Sequence, residues 1–179
     1  MIYNYCGVKP QIAATAFIAP SADIIGDVSI GDHTSVWFHV TIRGDVHYIK
    51  IGSETNVQDN SLLHVTNGKF PLHIGDGITI GHHVLLHGCR IGNNVLVGMG
   101  TIVLDGAVIG SDSIIAAGSL IREGQKFPDG VLIAGIPGKI KHELRNDQIN
   151  KNREYARNYI KYKNRYMNPE NFCTIVEDK

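Results

Sequence analysis

An aliphatic residue recurs every six positions along most of this chain, and that period decides what it can fold into. Ile12, Ile18, Ile24, Ile30, Val36 and Ile42 open the series. The frame slips by three and resumes at Ile51, Val57 and Leu63. It slips by five to Ile74, Ile80 and Leu86, loses one residue, and runs on through Ile91, Val97, Val103, Ile109, Ile115 and Ile121. All 18 slots hold Ile, Val or Leu. A six-residue period fits neither a lone helix nor a hairpin. It fits a triangular coil whose three sides each take one hexapeptide, with the slot residue pointing inward. Eighteen slots make about six coils. Gly or Ala follows the slot ten times, as in Ile30-Gly31, Ile91-Gly92 and Val97-Gly98, as expected of a tight corner.

This pattern resembles the hexapeptide-repeat superfamily, and the resemblance implies a left-handed parallel β-helix. The slips predict loops leaving the prism near Val46-Lys50 and Val65-His73, and a tightened corner near Cys89-Arg90. Residues 1–140 are expected to form the β-helix and its exit segment, mostly irregular from Arg122 to Lys139. Residues 141–179 are expected to supply a helix and tail packing on the prism. The helix should start near Asn146 or Asp147, either of which could cap it. Tyr155, Tyr159, Tyr162 and Tyr166 share one helical face. They and Trp37 read first as packing residues. The tail from Asn168 carries no assignment.

The residue after a slot is large at Ile25, Trp37, Arg43, Gln58, His64, His87, Leu104 and Arg122. Four of these are polar and fall in the middle coils: Arg43, Gln58, His64 and His87. Three slots make one turn, so Arg43, His64 and His87 stack on one corner, one coil apart. Coils lie roughly 4.8 Å apart. At that spacing two imidazoles can share one ion at ~2.0–2.1 Å from each nitrogen. His82 precedes His87 by five residues, and five extended residues span about 16 Å. That places His82, with Gln58, at the preceding corner. A homotrimer, with one subunit's His64 and His87 facing the next subunit's His82, solves this by joining all three at one ion.

Ile42-Arg43-Gly44-Asp45, Asn56-Val57-Gln58-Asp59, Leu63-His64 and Gly81-His82-His83-Val84-Leu85-Leu86-His87-Gly88-Cys89 together resemble the γ-class carbonic anhydrase family, from about Ile12 to Pro137. The resemblance implies a trimer that binds a metal through His64, His87 and a neighbour's His82. It implies reversible hydration of carbon dioxide to bicarbonate, by a water that the metal activates. Zinc is expected, with iron or cobalt also suited to imidazole. Gln58 would orient water or substrate, and Arg43 would pair with Asp45 or hold bicarbonate. Asn56 and Tyr159 would support or line the site. The family's acidic loop residues are missing from Val65-Thr66-Asn67-Gly68-Lys69-Phe70-Pro71, which implies slow or absent turnover. Two other readings stay open: an acyltransferase using acetyl-CoA, with one catalytic His, and a non-catalytic metal-binding assembly subunit.

Plainer roles compete for several residues. Arg43 and Asp45 could form an interface ion pair, and Gln58 could cap a corner. His33, His39, His47, His73 and His142 read as structural or solvated, and alternation turns His83 away from His82. The balance of 17 Lys+Arg against 17 Asp+Glu points to no nucleic-acid or polybasic membrane partner. No apolar run reaches membrane-span or signal-peptide length. Cys6, Cys89 and Cys173 read as reduced thiols of a cytoplasmic protein, Cys89 as a small buried residue.

Overall fold

The computed structural model describes residues 1–173. The chain winds into a left-handed parallel β-helix of about seven turns, closed by one helix near its C-terminus. Each slot residue from Ile24 to Ile121 lies in the apolar core of the prism, with Ile12 and Ile18 packed against its open end. The strands stack in register, slot on slot: Val36 on Val57, Val57 on Ile80, Ile80 on Val97 and Val97 on Ile115.

The slot series runs further than Ile121. Phe127 and Ile133 continue the six-residue step and are buried in the same core. Their strands, Lys126–Phe127 and Val131–Ala134, pair with the coil below. The segment Arg122 to Lys139 is therefore mostly another turn of the prism, not an irregular exit. Phe fills a slot that an aliphatic pattern leaves out.

The two kinds of glycine have different causes. Residues directly after the slot have no left-handed backbone, but they meet the next coil closely. A Cβ at Gly98 would lie 2.4 Å from the Ala117 amide nitrogen. The left-handed residues come three after the slot, where the chain turns: His33, His39, Glu54, Asn60, His83, Asn94 and Asp112 all have positive φ, as do Gly77, Gly100 and Gly118. His33, His39 and His83 thus occupy turns, and all three are exposed.

The first frame slip is not a loop. Thr41–Ile51 is one continuous strand. Its register against Asp23–Ile30 jumps from Gly26–Gly44 to Val28–Ile49. The three extra residues bulge at the corner and carry Asp45 outward. The second slip is a short loop closed by a bridge between Thr66 and Phe70. At the third, Cys89 turns into the core and is buried.

The helix spans Asn146–Tyr166, starting where expected, but its N-cap is Arg145 rather than Asn146 or Asp147. Gln148 accepts the Arg145 amide N–H at 3.1 Å, so the reciprocal bond of a capping box replaces an Asn or Asp cap. Its inward stripe is the buried Asn152, Ala156 and Lys163 with the half-buried Tyr159 and Tyr166, while Tyr155 and Tyr162 are exposed. The tyrosines therefore do not all face the prism. Tyr159 and Tyr166 pack edge-on against Trp37, with ring centroids 5.6 and 5.0 Å away. Among the described residues, no helix is long and apolar enough to cross a membrane.

Candidate metal centre

Strand pairing puts His64 directly opposite His87, in register with Leu63 on Leu86. Ile42 on Leu63 extends the stack one coil down and brings Arg43 to the same corner. A chain of polar contacts follows this corner. Arg43 forms an ion pair with Asp45. Asp45 Oδ1 lies 3.1 Å from His64 Nε2, His64 Nδ1 lies 3.0 Å from His87 Nε2, and His87 Nδ1 lies 2.7 Å from Asp105 Oδ1. The Thr66 hydroxyl donates to the other Asp105 oxygen at 2.6 Å.

The electrostatics are consistent with this order. Burial opposes ionisation of Asp45, but hydrogen bonds from Arg43 and His64 outweigh it and hold the carboxyl below the usual range. Burial is also the largest influence on His64. Together with the Arg43 and His87 charges it pushes the imidazole pKa down, against the pull of Asp45. Burial drives the Cys89 thiol pKa well up, so it stays protonated and inert beside the site.

Gln58, Asn56 and His82 lie elsewhere. Asn56 pairs with Thr79 across the strands, and its amide donates to the Ile78 carbonyl at 3.2 Å and the Thr79 hydroxyl at 3.0 Å. Gln58 Nε2 in turn donates to Asn56 Oδ1 at 3.1 Å. His82 Nδ1 lies 2.9 Å from Asp59 Oδ2. Tyr159 packs against Trp37, and burial, with the Asp59 charge adding to it, raises its phenol pKa. The His64 and His87 rings meet within one chain, and His82 does not join them. Among the described residues, no three His, Cys, Asp or Glu side chains of one chain converge as a metal-binding group.

Sequence reasoning passed over Asp105 and gave Asp59 no role. Both were reachable by the slot count. Val103 is three slots beyond Leu86, so Asp105 follows one coil above His87. Ile80 is three slots beyond Val57, so Asp59 lies one coil below His82.

The donor chemistry at this corner fits a metal ion. With one proton of His64 directed at Asp45 and one of His87 at Asp105, the two nitrogens left facing each other at 3.0 Å both carry lone pairs. That contact is repulsive unless a proton or a cation lies between them. Carboxylates behind the rings fix their orientation and raise their basicity, as they do in known metal sites.

Comparison with known proteins bears on this geometry. Residues 88–123 match the family model described as bacterial transferase hexapeptide (six repeats). The chain is 46% identical over 179 residues to a carbonic anhydrase of Geobacillus kaustophilus, covering 100% of this chain and 98% of that one. It is 40% identical over 164 residues to gamma carbonic anhydrase 2, mitochondrial, of Arabidopsis thaliana, covering 89% of this chain and 59% of that one. The crystal structure of a hexapeptide transferase family protein from Anaplasma phagocytophilum superposes with a TM-score of 0.87 at 44% identity, over 92% of this chain and 97% of that one. With near-complete coverage at this identity, on the same fold, the chain belongs to the γ-class carbonic anhydrase-like family of hexapeptide-repeat proteins.

Proposed function

We propose that this protein is a metal-dependent hydratase of carbon dioxide, with its site shared between neighbouring subunits of a homotrimer. His64 and His87 of one copy and His82 of the next would hold the ion, which is zinc in this reading, with iron or cobalt as alternatives. The observation that carries it is the common arrangement of the three histidines. Each has one ring nitrogen against a carboxylate, Asp45, Asp105 or Asp59, and the other nitrogen left for a ligand.

When bound, the metal supplies a Lewis acid that brings proton loss from water toward neutral pH. The chain's own groups do the rest. Gln58 spends its amide N–H on Asn56, which leaves its carbonyl oxygen to orient water. Asn56 is locked into the strand ladder and keeps Gln58 in place. Arg43 has guanidinium N–H groups beyond the one on Asp45 and is partly open to solvent, so it can hold bicarbonate. Tyr159, whose phenol feels the Asp59 charge, would line the His82 corner from the helix. Asp105 is committed to His87 and Thr66, and the Val65–Pro71 loop holds no carboxylate. Proton export, and with it turnover, should therefore be slow.

The outward surface supports the trimer. The strands between the His82 corner and the His87 corner turn Leu62, Leu85, Ile102 and Leu120 outward in one register. Leu62 and Ile102 are 39% and 38% exposed. An apolar row flanked by one candidate ligand set on each side suits a head-to-tail ring.

The test is metal content of untagged protein purified without added metal, followed by carbon dioxide hydration with and without oxygen. One ion per chain in wild type, none in His64→Ala, and measurable hydration support the reading. Metal without hydration would point to an assembly subunit. Metal-free protein that transfers acetyl groups from acetyl-CoA would replace the hydratase with the transferase suggested by the family-model match.

A further inference from the structure

The residue before each core slot points out of the prism, so each face displays one outward row. The helix covers one face and the apolar row occupies the second. On the third face the row reads Ser29, Lys50, His73, Arg90, Val108 and Lys126 in strand register. It contains no carboxylate. Among the described residues, none of Lys50, Arg90 and Lys126 is paired with an acidic group.

Two adjacent members of this row, Lys50 and His73, are organised around Tyr48, and a third, Arg90, lines a cleft with His73. The Tyr48 hydroxyl lies 3.0 Å from His73 Nε2, and the Lys50 ammonium lies 5.2 Å from the centre of the Tyr48 ring. A cleft of about 350 Å³ runs beside the row, lined by His73, Arg90, Gly75, Gly92, Asn93 and Ser111. Gly75 and Gly92 pack directly on the next coil, where a Cβ would meet Asn93 or Ser111, and Lys50 stands beside the cleft rather than in its lining. Asp129 bounds one end, with Oδ1 turned to the Ser111 amide at 2.7 Å.

We propose that Lys50, His73 and Arg90 form a binding site for a small ligand bearing a diphosphate group. Lys50 and Arg90 flank His73 by one coil each, about 10 Å apart along the axis at ~4.8 Å per coil. Both side chains are long enough to close on an anion between them. The planar guanidinium can take two oxygens of one phosphoryl group, and the ammonium can neutralise the other. A nucleic acid is the wrong partner. The triplet is bracketed by Ser29 and Val108, and the whole chain has a formal net charge of +0, so no track of phosphates can be followed. The proposal does not rest on the metal centre, which lies at the corner preceding this face.

Isothermal titration of the full chain with inorganic pyrophosphate, at about 0.15 M salt to screen loose ion pairing, tests it. One pyrophosphate per chain is expected, displaced poorly by sulfate. Arg90→Ala should weaken binding about tenfold or more, as loss of a hydrogen bond to a charged group does. Lys50→Ala should weaken it less, Arg90→Lys should recover part of the affinity, and Lys161→Ala on the exposed side of the helix should change nothing. The wild-type His73 ring resonances should move during the titration, which tests the location without any variant. No saturation at millimolar pyrophosphate, equal affinity in a folded Arg90→Ala protein, unmoved His73 resonances, or equal competition by sulfate would each overturn it.

Discussion

At the residue scale the candidate centre is a matter of which nitrogen faces which oxygen. Asp105 acts through His87, holding its Nδ1 at 2.7 Å. Asp105→Ala should therefore lower metal affinity about 10–100-fold without removing a ligand, as metal-buffered titration would show. His73 supplies the pH signature. Burial, with the Arg90, Lys50 and His47 charges, depresses its pKa below the ordinary value near 6.5. Below about pH 6.5 the unfolded chain takes up its proton before the folded one does, so stability falls with acidification from there toward the depressed folded value. His73→Gln should flatten that part of the profile, read as melting temperature against pH. Stacking of His64 on His87 was legible from the slot count. So were Asp105 and Asp59, once carboxylates are counted on the same corners. The hydrogen-bonding nitrogen of each ring was not, because ring rotation depends on side-chain packing.

At the element scale each coil is held by its neighbours as much as by its own residues. Gly98→Ala would drive a Cβ to 2.4 Å from Ala117 N and 2.7 Å from the Ile115 carbonyl oxygen. Gly118→Ala, with φ +68 and open space around the Cβ, should cost only about 1–2 kcal/mol of left-handed backbone strain. Urea unfolding should rank Gly98→Ala clearly the more damaging. Trp37 joins the helix to the prism through Phe17, Tyr159 and Tyr166. Trp37→Ala should cost about 3–5 kcal/mol, as a large aromatic deletion does, and loosen the helix first in hydrogen exchange. The tyrosine spacing announced a helix here, but its choice of buried face depended on where Trp37 and Phe17 stood.

At the scale of the whole molecule, the three faces of the prism divide the work. One is roofed by the helix, one offers Leu62, Leu85, Ile102 and Leu120, and one carries Lys50, His73 and Arg90. If the apolar face joins subunits, Ile102→Glu should break the trimer, because a charge would be buried there without a partner. Sedimentation should then show smaller species, and metal should be lost with the neighbour's His82 even though every ligand is intact. A trimer that survives Ile102→Glu with its metal would move the interface to another face.

The six-residue period by itself determined the β-helix, the inward residues of nearly every coil and the stacking of Arg43, His64 and His87. Those follow from regular winding, in which position along the chain converts directly into position around the prism. The tertiary structure decided where the winding departs from that rule. It turned a three-residue slip into a bulge that carries Asp45 to His64, and it continued the core through Phe127 and Ile133. It also chose which ring nitrogens of His64 and His87 meet their carboxylates and rotated the helix onto Trp37. These outcomes depend on side-chain packing and on contacts between coils distant in sequence, and a local pattern does not encode either.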